Sequence, residues 1–177
     1  MSEMHIWKEL KKKKPFVTMV AFSWQHWGGY GVDLKVTPHG VEVSVHRSVQ
    51  QRRSGVKLTP SVLYSATGDP TYSFGLSGVH DSYFDFLHFL TDKAHIQDWY
   101  DWLINRPEDD SSDEDWEEHM LNLDDSSTHW SLRLYSPLYE ETFYLADNTG
   151  GEYPPGFDAL LESVNSWLTL IGLPTIG

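Results

Sequence analysis

Cysteine is absent from all 177 residues. Disulfides, thiolate nucleophiles, Fe–S clusters and cysteine-type zinc sites are therefore excluded for this chain. Basic side chains are scarce, 13 Lys and Arg against 26 Asp and Glu, for a formal net charge of −13. No apolar run approaches the roughly 18–20 residues that a bilayer span requires. The opening stretch, Met1 to Lys14, is charged and lacks the apolar core of a secretory signal. A soluble cytoplasmic protein without membrane contact is the expectation. What the chain has in quantity is aromatic surface: 14% Phe, Trp and Tyr, with eight Trp. That is the opposite of a disordered composition. The length suits one domain over residues 1–177, large enough to bury its own core.

The charge is unevenly spread. Residues 1–60 carry ten basic and four acidic side chains, +6, while residues 61–177 carry three basic and 22 acidic, −19; the two sum to −13. The acidic half has its own focus. From Glu108 to Asp125, 18 residues hold ten carboxylates and no Lys or Arg. Such a block repels itself, stays hydrated and projects a negative potential over a Debye length of about 8–10 Å at physiological salt. It disfavours direct nucleic-acid binding through this surface and favours a basic partner.

Periodicity gives the fold class. Met4 to Lys13 reads as a short helix ended by Pro15, and Phe16 to Trp24 as a central strand apolar on both faces. Val32, Leu34 and Val36, then Val41, Val43 and Val45, alternate with polar residues around Thr37-Pro38-His39-Gly40, which predicts a β-hairpin. Val56–Ala66 and Tyr72–Ser77 are further strand candidates. From Asp81 to Arg106 the spacing becomes helical, opened by Ser82 with Asp85 as a capping pair and closed by Pro107. Residues 107–126 read as an acidic loop or short helix. Two more strands, His129–Tyr135 and Thr142–Ala146, precede a last helix introduced by Pro154-Pro155. The sum is an α+β fold: a mainly antiparallel sheet of about five to seven strands against two or three helices, with an acidic insertion.

Candidate chemistry is thin. Asp81, Asp85, His88 and Asp92 form one helical stripe with metal-ligating types, which is also the polar face that any amphipathic helix has. Asp109, Ser111, Asp113 and Asp115 alternate like calcium-loop ligands, but Glu114 and Met120 stand where an EF-hand needs Gly and Glu. Gly75-Leu76-Ser77-Gly78 resembles a nucleophile elbow, with Val79 in place of its last Gly. Gly28-Gly29-Tyr30-Gly31 reads as a turn. No cofactor or metal site is expected. Lys11–Lys14 reads as a helix C-terminal cap, with Arg47, Arg52 and Arg53 as candidates to join it in one basic patch.

The acidic block remains. Its partner-binding candidates are Glu108, Asp109, Asp110, Asp113, Glu114, Asp115, Glu117, Glu118, Asp124 and Asp125, with Trp116 as an aromatic anchor ringed by charge. The expected function is that of a small acidic protein-binding module, not an enzyme. It would inhibit or regulate a basic, nucleic-acid-processing partner, and its carboxylates would imitate a phosphate backbone. Bacterial immunity proteins and phage-encoded inhibitors of nucleic-acid enzymes share this general composition, an analogy of class. The alternatives are a metal-dependent or serine hydrolase, and an assembly protein that pairs head to tail into homo-oligomers through its opposite charges.

Overall fold

Alternation with a period of two builds the centre of the molecule. The computed structural model describes residues 4–26, 30–47, 71–105, 128–147 and 153–177. Their elements are α1 (Met4–Leu10), β1 (Met19–His26), β2 (Tyr30–Thr37), β3 (Gly40–Arg47), β4 (Thr71–Phe74), α2 (Tyr83–Asp92), α3 (Ile96–Ile104), β5 (Thr128–Tyr135), β6 (Glu140–Asp147) and α4 (Phe157–Leu170). The six strands form one antiparallel sheet in the order β4-β3-β2-β1-β5-β6. This is the expected α+β architecture, with four helices among the described residues where two or three were expected. The strand candidate Val56–Ala66 and the acidic stretch 107–126 lie outside the described residues.

Register lines the apolar residues up in rows. Val43, Leu34, Phe22 and Leu132 are successive cross-strand partners, as are Val45, Val32, Trp24 and Trp130. All eight are buried, in one core with the inner faces of the helices: Ile6 and Leu10 of α1, Phe86 and Leu90 of α2, Ile96 and Trp99 of α3, Phe157, Leu160 and Trp167 of α4. Phe157 is the hub, with ring centroids 4.6 Å from Trp130, 5.5 Å from Trp99 and 6.3 Å from Trp24. Burying such a ring contributes roughly 1.5–3 kcal/mol.

The opposite face of the sheet is polar. Thr71, Ser44, Asp33, Ser23 and Ser131 form one row across five strands, all exposed or half-buried. The sequence reading of β1 as buried on both faces is corrected here. Val20, Phe22 and Trp24 are buried, but Met19, Ala21 and Ser23 are half-exposed. Small or flexible apolar residues there imitate a two-sided strand, although the strand is covered on one side.

The hairpin between β2 and β3 turns on Pro38 and His39, as expected. Gly40 closes it with φ of 141°, and a Cβ there would lie 2.4 Å from the Phe74 carbonyl oxygen. Only glycine admits both that backbone and that approach of β4. The single helical stretch expected over Asp81–Arg106 is two helices. Ser82 caps α2, its hydroxyl accepting the Asp85 N–H at 3.2 Å. After Asp92 the chain breaks at His95, which adopts a left-handed conformation (φ 49°). The Trp99 indole N–H donates to the carbonyls of Ala94 (2.8 Å) and Pro155 (2.7 Å), tying the break to the entry of α4.

Candidate functional site

The antiparallel register divides the loops between two rims of the sheet. At one rim lie the end of β1, the start of β2, the end of β3, the start of β5 and the end of β6: His26 pairs with Thr128, Tyr30 with Arg47, and Thr128 with Asp147. The acidic segment therefore rejoins the scaffold at this rim, at Thr128. All eleven sequence-predicted binding residues, Glu108, Asp109, Asp110, Asp113, Glu114, Asp115, Trp116, Glu117, Glu118, Asp124 and Asp125, lie outside the described residues. Their two anchors do not. Asn105 follows α3 and its N–H donates to the Asp101 carbonyl at 3.1 Å. Thr128 opens β5, which is paired along its length with both β1 and β6.

The other rim collects the turn of the β2–β3 hairpin, the lead-in to β1 and the β5–β6 turn. The Thr18 N–H donates to the Tyr135 carbonyl (2.7 Å), continuing the β1–β5 ladder to this end. Lys11–Lys14 sit immediately before that lead-in and are exposed. Lys12 bonds the Glu9 carboxylate, and that contact holds the Glu9 carboxyl below the usual carboxylate range. The lysine run and Arg47 thus belong to opposite rims, about seven residue steps of roughly 3.3 Å apart along a strand. Arg47 therefore does not join Lys11–Lys14 in the basic patch expected from sequence. Arg52 and Arg53 lie outside the described residues.

Two polar clusters bear on catalysis. On the open sheet face, the Ser23 hydroxyl donates to Asp33 Oδ1 and His46 Nε2 meets Asp33 Oδ2, both at 2.5 Å. The carboxylate stands between the hydroxyl and the imidazole. A serine nucleophile needs the imidazole in the middle, to take its proton; here the hydroxyl proton is directed at the carboxylate instead. The second cluster was not foreseen from sequence. His80 Nε2 lies 2.8 Å from Ser163 Oγ on α4, with the imidazole among Phe86, Phe89 and Trp167 at centroid distances of 5.3, 4.8 and 5.6 Å. Burial lowers the His80 pKa, partly opposed by the charges of Asp81 and Asp85. Ser163 is 5% exposed on a helix face packed into the core. The pair satisfies a buried hydroxyl and locks α4 against the turn before α2.

Other candidates fall into place simply. Ser77 is exposed in the turn after β4, and none of the hydrogen bonds among the described residues joins it to a histidine. Asp85, His88 and Asp92 are the exposed face of α2, whose buried face is Tyr83, Phe86, Leu87 and Leu90. No group of three metal-ligating side chains occurs among the described residues. Trp24, Trp99, Trp130 and Trp167 are core; Trp27 lies outside the described residues. A shallow cleft of about 420 Å³ opens where the β2–β3 turn meets β4, lined among others by Lys35, His39, Glu42 and Ser73. It presents one ammonium and one carboxylate and no concentrated charge. Among the described residues no helix is long and apolar enough to cross a membrane. No family model, curated protein or solved structure matches this chain.

Proposed function

We propose that this protein is a small acidic protein-binding module whose segment Glu108–Asp125 engages a basic surface of another protein and blocks or regulates it. The observation that carries this reading is ten carboxylates in 18 residues with no Lys or Arg. The segment is bracketed by two anchored residues, Asn105 after α3 and Thr128 at the head of β5. A segment tethered at both ends loses less conformational freedom on binding than a free tail. The carboxylates steer encounter, and Trp116 supplies apolar contact that lengthens residence. The partner class that fits is a nucleic-acid-processing protein, whose phosphate-binding surface is a row of cations.

The test is capture of partners on the immobilised chain at low salt, beside a variant carrying D109N, D110N, D113N, E114Q and D115N. A basic partner retained by the parent, released as salt rises and not retained by the variant is the expected result. A captured partner indifferent both to salt and to the five substitutions overturns the proposal.

A further inference from the structure

We propose that the rim opposite the acidic anchor, where Lys11–Lys14, Phe16 and Leu138 project, docks on an anionic lipid bilayer. This does not rest on the acidic-segment reading, since it uses other residues at the other end of the sheet.

Phe16 and Leu138 are each 57% exposed, among the few large apolar side chains so placed. One such residue is ordinary on any surface; these two project from adjacent segments. Phe16 lies two residues before Thr18, which bonds Tyr135, and Leu138 is in the turn that follows Tyr135. The register that sets Val20 against Val36 carries on to bring the Pro38–His39 turn to the same rim, and both residues are exposed. Four consecutive lysines precede Phe16. Lys12 is paired with Glu9, while Lys11, Lys13 and Lys14 have no acidic partner among the described residues.

The shape of this patch selects the occupant. Protein partners bury an apolar centre ringed by polar groups, and small ligands enter concave pockets. Here the apolar side chains stand on a lead-in and a hairpin tip, with four lysines preceding Phe16 and with Glu140 and Glu141 opening β6 after Leu138, so the cations outnumber the carboxylates at this rim. A polyanion such as nucleic acid would use the lysines and gain nothing from Leu138. A bilayer uses both, because phosphate headgroups meet the ammonium groups while the side chains enter the interfacial region. The chain's net charge of −13 opposes long-range attraction to an anionic surface, so binding rests on the lysines that come within about a Debye length of the bilayer. The mode is peripheral, and among the described residues no helix is long and apolar enough to cross a membrane.

The test is co-sedimentation of the full chain with phosphatidylcholine vesicles with and without phosphatidylserine, across about 0.05–0.5 M salt. Binding to the phosphatidylserine vesicles alone, weakening with salt, is expected. The triple variant K11Q, K13Q and K14Q should lower partitioning by roughly 100-fold, about fivefold per charge. The pair F16A and L138A should lower it by at least about tenfold. Both variants should keep the parent thermal midpoint, because the altered side chains are exposed. Absence of binding to phosphatidylserine vesicles at low salt overturns the proposal. So does loss of binding in neither variant. So does a lysine-dependent complex with polyglutamate, or with a second copy of the chain by gel filtration, when vesicles are ignored.

Discussion

Gly156 rests directly on the carbonyl of Ala94: a Cβ at Gly156 would lie 2.4 Å from that oxygen and 2.6 Å from its carbon. The contact lies beside the Trp99 bonds to Ala94 and Pro155 and closes the junction of α2, α3 and α4. Gly156 also has φ of 77°, in the left-handed region. Gly156→Ala therefore carries a conformational cost of about 1–2 kcal/mol and a backbone overlap costing about 1–3 more. The urea midpoint should fall accordingly, and the thermal midpoint by roughly 5–15 °C. Gly75→Ala is the control, since its Cβ would meet only Ser77 Oγ at 3.8 Å; a change within about 0.5 kcal/mol is expected. Equal effects of the two substitutions would show that the Ala94 contact does not hold the junction.

Asn165 clasps the C-terminal stretch. Its Nδ2 donates to the Ile176 carbonyl at 2.8 Å and its Oδ1 accepts the Ile176 N–H at 2.7 Å. Ile176 is buried and its neighbour Leu173 likewise. Asn165→Ala leaves two backbone groups unpaired beside the core, at a cost of about 1–3 kcal/mol. Asn165→Asp keeps the acceptor but brings a carboxylate against the Ile176 carbonyl, and should be no milder. Equilibrium unfolding measures both, and amide exchange at Ile176 should quicken in each.

Asp33 invites the opposite prediction. Its side chain is 47% exposed and that of His46 is 43% exposed, so water screens the pair. Asp33→Asn should cost less than about 1 kcal/mol despite the two short contacts. A loss above about 2 kcal/mol by urea unfolding would mean that the cluster is shielded from solvent.

Sequence carried some of this and not the rest, for physical reasons. The β2–β3 hairpin was legible because Pro38 and Gly40 announce the turn and Val alternates on each side. The inner face of α4 was legible from helical spacing, but that of α2 only in part: the spacing Phe84, Leu87, Leu90 points to Phe84, which is exposed, whereas Tyr83 and Phe86 are buried with Leu87 and Leu90. The break between α2 and α3 was not legible, because Lys93-Ala94-His95 contains neither Gly nor Pro. It coincides with the left-handed His95 and with the Trp99 indole bond to Pro155, 56 residues away, neither of which has a local sequence signal. The His80–Ser163 contact spans 83 residues and likewise has no local signal. The separation of Lys11–Lys14 from Arg47 depends on strand direction, which alternation along one segment does not encode. The acidic segment itself is a property of sequence, and its scaffold anchors are what the fold adds.

His80 should make stability depend on pH in a defined direction. Burial among Phe86, Phe89 and Trp167 lowers its pKa below the ordinary 6.5, with Asp81 and Asp85 opposing the shift. The unfolded chain therefore binds the proton more readily than the folded one. Stability is complete above the ordinary value and declines as pH falls below it, toward the lowered folded pKa. The difference in unfolding free energy between parent and His80→Gln isolates this from the other histidines. The parent should lose more than the variant between about pH 7 and pH 5, above the main carboxylate range. Because the variant also alters the bond to Ser163, the ring titration of His80 by NMR gives an independent reading. A midpoint below 6.5 is expected; a midpoint above it would mean that the two aspartates outweigh burial and that the pH slope reverses.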